Sequence, residues 1–169
     1  MSKVYAVVRT IGEISLDDCI GALKVHNIPY EIVEGLSLQN AVKKILRIGY
    51  EKQEEYDWIM VVDADIIVTA SKEEIEKHCE KMSENKDLFV FTGWLLGTKI
   101  GYRDGMHFYR TKYCDEIFNK IKYLDFSFHK GREESEICNY VVNNTKYKFE
   151  VSDKKLCFGV HLRYVNEKI

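Results

Sequence analysis

The sequence predicts an α/β domain with a mostly parallel central sheet, helices on both faces and a small mixed second sheet. Two observations lead to this prediction. Continuous apolar runs occupy residues 4–8, 58–62 and 88–91, as expected of strands that are covered on both faces. Stretches with apolar residues at helical spacing separate these runs, and residues 30–33 after Pro29 add a strand, so the predicted order is βαβαβαβ.

Three serines mark the predicted starts of the first helices. Ser15 with Asp18, and Ser71 with Glu74, have the spacing of a capping box, in which two side chains satisfy free amide groups of the first turn. Ser37 precedes the second apolar stripe at the position of an N-cap residue. The crossovers between these strands are expected to be right-handed.

The second half of the chain has a less regular pattern. Residues 93–105 contain four glycines and predict a loop. The remaining pattern predicts, in chain order, a strand at 106–109, helices at 113–121 and 134–143, and strands at 147–151 and 156–160. No linker composition interrupts the chain, so residues 1–169 are predicted to form one domain.

The composition excludes several classes of protein. The 169 residues are 46% hydrophobic and 31% charged, which is typical of a folded domain. A net charge of −2 argues against nucleic acid or an anionic membrane surface as a partner. No apolar run approaches the roughly 20 residues that cross a bilayer, and no secretory signal is recognisable. A cytoplasmic protein with reduced thiols and no integral membrane segment is therefore expected.

Two aspartates follow the strongest predicted strand. Asp63 and Asp65 come directly after the run at 58–62, where α/β sheets bind their ligands. In an extended chain, residues two apart point to the same side, so these carboxylates are predicted to converge on Mg²⁺ or Mn²⁺ with a diphosphate. The alternative is that they only begin a turn or cap the next helix. Because Ser71 already supplies a cap and residues 66–68 are apolar again, a bound cation is favoured.

The segment at residues 56–68 resembles the DxD segment of GT-A-fold glycosyltransferases. In that family the segment holds a divalent ion and the diphosphate of a nucleotide-sugar donor. Residues 105–110 resemble the strand beside the donor sugar, residues 132–134 resemble the x-E-D motif, and His161 resembles the late histidine of the metal shell. The resemblance implies a Rossmann-like GT-A fold, with a nucleotide-binding half at about 1–92 and a donor-sugar and acceptor half at about 93–169.

The resemblance also assigns roles to individual residues. The implied general base of an inverting reaction is Glu134 or its neighbour Glu133. The implied metal ligands are Asp63, Asp65 and His161. The residues implied to bind the donor are Arg9, Thr10, Glu34, Asp63, Ala64, Asp65 and Trp94. Structural roles stay open as alternatives: a surface ion pair for Arg9, packing for Trp94, a satisfied histidine at 161, and favourable helix-dipole interactions for the glutamates. His107 is interpreted as structural.

The implied function is that of a metal-dependent, inverting, family-2-like glycosyltransferase. It would move a sugar from a UDP- or GDP-linked donor to a sugar, lipid or protein acceptor, with Mn²⁺ or Mg²⁺ as cofactor. Glu134 replaces the family's aspartate, and the glycine-rich loop before it is reduced to Gly131. The alternative is a non-catalytic nucleotide-sugar binding module, or a degenerate transferase that serves as a partner subunit. The candidate partners include a partner subunit and a second copy of the chain. A haloacid-dehalogenase-like phosphatase is less favoured, because Ile67 stands where that motif has Thr or Val.

Overall fold

The computed structural model describes residues 1–97, 101–153 and 155–162. Its strands are β1 (Val4–Thr10), β2 (Tyr30–Glu34), β3 (Trp58–Asp63), β4 (Ile66–Val68), β5 (Leu88–Gly97), β6 (Gly101–Arg110), β7 (Lys148–Val151) and β8 (Cys157–His161). Its helices are α1 (Leu16–Val25), α2 (Leu38–Lys52), α3 (Lys72–Met82), α4 (Cys114–Ile121) and α5 (Glu133–Asn144). In this part of the chain, no helix is both long enough and apolar enough for a membrane crossing.

The strands form one continuous sheet of eight strands in the order β2-β1-β3-β6-β5-β8-β4, with β7 paired to β5. Four of the pairings are parallel and three are antiparallel. The α/β architecture is confirmed, whereas the mostly parallel sheet with a separate second sheet is only partly right. Helical crossovers connect the parallel strands β1, β2 and β3, but β6 returns directly beside β5, and such a return pairs strands antiparallel.

The predicted loop at 93–105 is wrong for most of its length, because β5 and β6 pair as far as Gly97 and Gly101. Residues 98–100 lie outside the described residues. A stretch with four glycines is typical of a loop, but a glycine in a strand also marks a close approach by another group. At Gly93 the missing side chain is replaced by the ring of Phe158, which packs directly over the strand.

Helices cover both faces of the sheet, as predicted. One apolar core lies between the sheet and helices α1 and α3, and the other lies between the sheet and helices α2, α4 and α5. Alternate residues of β1 enter the two cores: Val4, Ala6 and Val8 face the first, and Tyr5 and Val7 face the second. Each face of the central strands is therefore apolar until the strands end.

The capping box at Ser71 is confirmed. The Ser71 hydroxyl accepts a hydrogen bond from the Glu74 amide, and the Glu74 carboxylate accepts one from the Ser71 amide. The capping box at Ser15 is wrong, because Ser15 has a helical backbone conformation and its side chain makes no capping hydrogen bond. The chain enters α1 through a turn in which the Leu16 amide donates to the Glu13 carbonyl, so Ser15 lies inside the turn.

Candidate functional site

A cleft of about 1170 Å³ lies at the carboxyl ends of β1 and β3. This is where open α/β sheets bind ligands, and the volume exceeds the roughly 300–1,000 Å³ of typical small-molecule pockets. Its polar walls come from elements that are far apart in the chain: the end of β1, the end of β3, strand β6, the first turns of α5 and the end of β8. Both halves of the chain therefore contribute to the cleft.

The strand pattern explains why charged groups meet in this cleft. On the face covered by α5, β1 presents Tyr5 and Val7 and then Arg9, and β3 presents Ile59 and Val61 before Asp63. The parallel register sets Arg9 beside Asp63. The Nε of Arg9 donates a hydrogen bond of 2.6 Å to Oδ1 of Asp63.

Arg9 also binds a carboxylate from the second half of the chain. Its Nη1 donates a 2.6 Å hydrogen bond to Oε2 of Glu134, in the first turn of α5, across a separation of 125 residues. The Tyr109 hydroxyl donates to the other oxygen, Oε1, also at 2.6 Å. We call the four side chains of Arg9, Asp63, Glu134 and Tyr109 the Arg9 network. One buried guanidinium therefore links two carboxylates.

The Arg9 network shifts the pKa values of Glu134, Arg9 and Tyr109. Burial alone would raise the pKa of Glu134, but the charges of Arg9 and His107 and the hydrogen bonds from Tyr109 and Arg9 lower it to about 2. Burial would likewise lower the pKa of Arg9, but the carboxylates of Glu134 and Asp63 raise it above its ordinary value. Burial and the nearby Glu134 carboxylate raise the pKa of Tyr109 well above its ordinary range. Glu134 is therefore a stable carboxylate at neutral pH.

His107 lies against this network. Its Nδ1 is buried without a hydrogen-bond partner and lies 3.6 Å from Oε1 of Glu134. The ring lines the cleft, keeps about 14% of its side-chain exposure, and lies nearly parallel to the ring of Tyr109 at 6.1 Å between centroids. His107 and Tyr109 are two apart in β6 and so point to the same face.

A second group in the cleft consists of Asp65 and His161. The antiparallel pairing of β4 with β8 sets His161 opposite Ile66, and the Leu162 amide donates to the Asp65 carbonyl at 2.7 Å. Oδ2 of Asp65 lies 3.6 Å from Nε2 of His161. Burial raises the pKa of Asp65, the charge of His161 opposes this, and the nearby Asp63 carboxylate adds to it.

The two aspartates contact different partners. Strand β3 ends at Asp63 and β4 begins at Ile66, so a turn lies between the acids and the extended-chain geometry expected for them is not present. The carboxylate of Asp63 binds Arg9, whereas the carboxylate of Asp65 lies beside the ring of His161. Across the described ranges, no three His, Cys, Asp or Glu side chains are grouped closely enough to hold a metal ion.

The donor set of Asp65 and His161 nevertheless fits a partly hydrated divalent ion. Mg²⁺ is commonly held by one or two carboxylates, with water and substrate phosphates completing its shell, and imidazole is an accepted ligand of the transition metals. A carboxylate and an imidazole 3.6 Å apart supply two suitable ligands. The metal assignment of Asp63, Asp65 and His161 therefore stays a prediction, with Asp63 engaged elsewhere.

Thr10 lines the cleft within a tight turn. Its hydroxyl donates to the Glu13 carboxylate at 2.5 Å, and the amides of Ile11 and Gly12 donate to Glu13 and to the Thr10 hydroxyl. Gly12 has a φ of +98°, a value that favours glycine. Burial would raise the pKa of Glu13, but the Thr10 and backbone hydrogen bonds lower it. Three hydrogen bonds therefore hold this part of the cleft wall together.

Four of the predicted site residues lie outside the lining of this cleft as the described residues form it: Glu34, Ala64, Trp94 and Glu133. Glu34 is exposed at the end of β2, and Ala64 is fully buried. The indole nitrogen of Trp94 donates to the backbone carbonyl of Ser152. Glu133 begins α5, and its Oε2 is buried without a hydrogen-bond partner. The structure brings six together: Arg9, Thr10, Asp63, Asp65, Glu134 and His161.

The resemblance set residues 105–110 beside the donor sugar, but sequence reasoning gave His107 and Tyr109 of this strand no role in the site. In residues 105–110 the polar His107 and Tyr109 alternate with the apolar Met106 and Phe108. This alternation is a signal that one face of the strand meets the cleft. Glu13 carried no comparable signal, because its role depends on the turn that Gly12 allows.

Comparisons with known proteins bear on the fold. No family model and no curated protein sequence matches the chain. A solved glycosyltransferase involved in the glycosylation of the major capsid of PBCV-1 superposes with a TM-score of 0.61 at 12% identity, covering 95% of this chain and 94% of that one.

Two further solved structures are similar over most of the chain. The 4-diphosphocytidyl-2C-methyl-D-erythritol synthase of Anaerococcus prevotii has a TM-score of 0.59 at 11% identity, covering 99% of this chain and 92% of that one. A cytidylyltransferase from Leptospira borgpetersenii serovar Hardjo-bovis has a TM-score of 0.55 at 13% identity, with coverages of 95% and 82%. The chain therefore shares its fold with these transferases, which agrees with the GT-A-like fold that the resemblance implies.

Proposed function

We propose that the chain transfers a sugar from a nucleotide-diphosphate donor to an acceptor hydroxyl, with inversion at the anomeric carbon and with the help of Mn²⁺ or Mg²⁺. The observation that supports this most directly is that a single cleft contains both the Arg9 network and the Asp65–His161 pair. The position of the cleft at the carboxyl ends of β1 and β3 suits a nucleotide, and one protein of this fold is a glycosyltransferase.

The charge of the cleft supports the divalent ion. The described lining residues include four acids and two arginines, namely Glu13, Asp63, Asp65 and Glu134 against Arg9 and Arg132. Because Arg9 already binds two carboxylates, a diphosphate entering the cleft needs a further positive charge. Asp65 and His161 would hold the ion, which stabilises the negative charge that develops on the departing diphosphate.

The chain's own residues would divide the remaining tasks. Arg9 holds Glu134 and Asp63 in fixed positions, so the carboxylates cost no reorganisation when the substrates bind. Arg132 is exposed on the cleft wall and would approach the phosphates or an anionic acceptor. The acceptor hydroxyl must lose its proton as it attacks, and the group built around Glu134 would receive it.

The proposal predicts that Asp65→Asn weakens metal-dependent nucleotide binding. In a thermal-shift screen with Mn²⁺, a UDP or GDP sugar at about 100 times its Kd adds about 2.7 kcal/mol to the stability of the folded chain. Without the Asp65 carboxylate we expect the affinity to fall by at least about 10-fold, the lower end of the loss known for groups that only support a metal ligand. Calorimetry with and without EDTA measures the difference.

Asp153→Asn is the matched control, because Asp153 is an exposed aspartate that pairs with Lys81 instead of lining the cleft. This variant is expected to bind the nucleotide sugar with wild-type affinity. Binding that EDTA does not affect, or that Asp65→Asn leaves unchanged, contradicts the metal assignment.

Nucleotidyl transfer is a second candidate function, because two of the similar structures are a cytidylyltransferase and a 4-diphosphocytidyl-2C-methyl-D-erythritol synthase. A nucleotidyl transferase would be stabilised by CTP or another triphosphate and release pyrophosphate, whereas a sugar transferase would prefer the diphosphate sugar and slowly release free sugar to water. A non-catalytic binding module would bind the donor and release neither product. The same nucleotide screen, followed by product analysis, separates the three.

A further inference from the structure

We propose that His107 accepts the proton of the acceptor hydroxyl and that Glu134 positions its imidazole ring. This inference rests on the proposed function and names the group that performs its proton transfer. It begins from the contacts of Glu134. Both oxygens of this carboxylate already accept hydrogen bonds, Oε1 from Tyr109 and Oε2 from Arg9, each at 2.6 Å, and the side chain is only 7% exposed. Each oxygen keeps a second lone pair, so an acceptor hydroxyl would have to share an oxygen with a donor already in place, on a side chain that is almost closed to solvent.

His107 has the geometry that Glu134 lacks. Its Nδ1 is buried, has no hydrogen-bond partner and lies 3.6 Å from Oε1 of Glu134. A proton on Nδ1 would point to the carboxylate and leave the lone pair on Nε2, so the carboxylate selects the tautomer that can act as a base. The ring lines the cleft, and contacts of this length commonly tighten when substrate binds.

The base strengths agree with this geometry. Arg9, His107 and Tyr109 overcome the effect of burial and lower the pKa of Glu134 to about 2. A general base is most effective when its pKa lies near the working pH, and a carboxylate with such a low pKa holds a proton poorly. An imidazole has an ordinary pKa of about 6.5. Glu134 therefore suits the task of stabilising an imidazolium.

The step balances as follows. A lone pair of the acceptor oxygen forms a bond to the anomeric carbon, and the bond from that carbon to the diphosphate oxygen breaks, its electron pair leaving with the nucleoside diphosphate. The acceptor proton passes to Nε2 of His107, and the resulting imidazolium is stabilised by the carboxylate of Glu134. Release of this proton to water restores the starting state.

Described groups from α5, β6 and β5 lie next to the ring. Glu134 approaches from α5, with Arg9 of β1 on its far side, and Tyr109 stacks from the same strand. The neighbour on β5 is Thr92, which is uncharged and whose buried hydroxyl has no hydrogen-bond partner. Glu134 is thus the charge that most directly affects the imidazole.

The test compares wild type and His107→Gln with UDP-glucose and GDP-mannose in Mn²⁺, first for binding by calorimetry and then for release of free sugar. We expect the variant to bind the donor that wild type prefers with similar affinity and to turn it over at least about 10²-fold more slowly. The wild-type rate, measured from pH 5 to 8, should rise with pH, because a general base must be unprotonated, and this rise should be absent from the variant.

Two further variants sharpen the result. His129→Gln changes an exposed histidine and is expected to keep the wild-type rate and pH profile. Glu134→Gln removes the carboxylate that stabilises the imidazolium, so the rise in rate should remain but move to lower pH. If Glu134 had only a structural role, Glu134→Gln would lower the yield of folded protein but leave the pH at which the rate rises unchanged.

Each outcome is decisive. If wild type neither binds nor hydrolyses any nucleotide sugar, the proposed function fails and this inference fails with it. If wild type is active and His107→Gln matches it, only the role of His107 is overturned, and a flat rate in Glu134→Gln then identifies Glu134 as the base. If His107→Gln does not fold, a wild-type rate that is constant from pH 5 to 8 still overturns the proposal.

Discussion

Replacing Arg9 with methionine should destabilise the protein by about 3–5 kcal/mol, the usual cost of removing one member of a buried ion pair. The Arg9 side chain is only 12% exposed, and it holds two carboxylates at 2.6 Å. Methionine fills much of the same space, so packing changes little and the loss comes from charge. Without the guanidinium, Glu134 and Asp63 remain in the cleft as neighbouring carboxylates without their cation.

Urea denaturation measures this loss. Lys44→Met serves as the control, because Lys44 is exposed on α2, and its loss is expected to stay within about 0.5 kcal/mol. A double variant with Glu134→Gln isolates the mechanism: removing the unpaired carboxylate should recover about 0.5–3 kcal/mol. If the double variant is no more stable than Arg9→Met alone, the cost is due to lost packing instead of unpaired charge.

The same network predicts how stability depends on pH. The pKa of Glu134 is about 2 in the folded chain, against an ordinary value of 4.5 in the unfolded chain. Its contribution is therefore complete above about pH 4.5 and is lost as the pH falls towards 2. The free energy of unfolding of wild type should therefore decrease over this range. The difference in this free energy between wild type and Arg9→Met should become smaller. Urea titrations at pH 7 and pH 3 check this, and a constant difference would contradict it.

The parts of the fold that depend on local pattern could be predicted from the sequence. The apolar run before Asp63, the serine at the start of α3 and the amphipathic helices are all set by residues close in the chain, and they appear where expected. The loop predicted at 93–105 is wrong, because a glycine in a turn and a glycine beneath a packed ring look alike in a sequence. Only the position of Phe158 distinguishes them.

In the candidate site, too, only the features set by local pattern could be predicted from the sequence. The acids at the end of β3 follow from strand pattern and from the general behaviour of α/β sheets. The bond from Arg9 to Glu134 crosses 125 residues and depends on how α5 packs on the sheet, which no local pattern encodes. The turn that separates Asp63 from Asp65 likewise depends on the pairing of β4 with β8. Contacts between distant segments therefore determine which partner each predicted site residue binds.

The pairing of β4 with β8 also predicts a large loss of stability in Gly159→Val. A Cβ at Gly159 would lie 2.5 Å from the backbone carbonyl oxygen of Ile67 on the neighbouring strand β4. A backbone atom cannot move aside as a side chain can, so β4 and β8 must separate. We expect a loss of about 3 kcal/mol, at the upper end for overpacking in a core. Gly21→Ala is the control, because nothing lies within 4 Å of its Cβ and the change should stabilise α1 by about 0.5–1 kcal/mol.

Gly159→Val should also affect the Asp65–His161 pair, so it tests the site as well as stability. Asp65 directly precedes β4, and His161 ends β8, so the strand pairing that Gly159 permits also sets the 3.6 Å between their side chains. Separating the strands should weaken Mn²⁺-dependent nucleotide binding in the fraction that remains folded, while Gly21→Ala leaves it intact. A destabilised Gly159→Val that still binds the nucleotide sugar with wild-type, EDTA-sensitive affinity would place the metal elsewhere in the cleft.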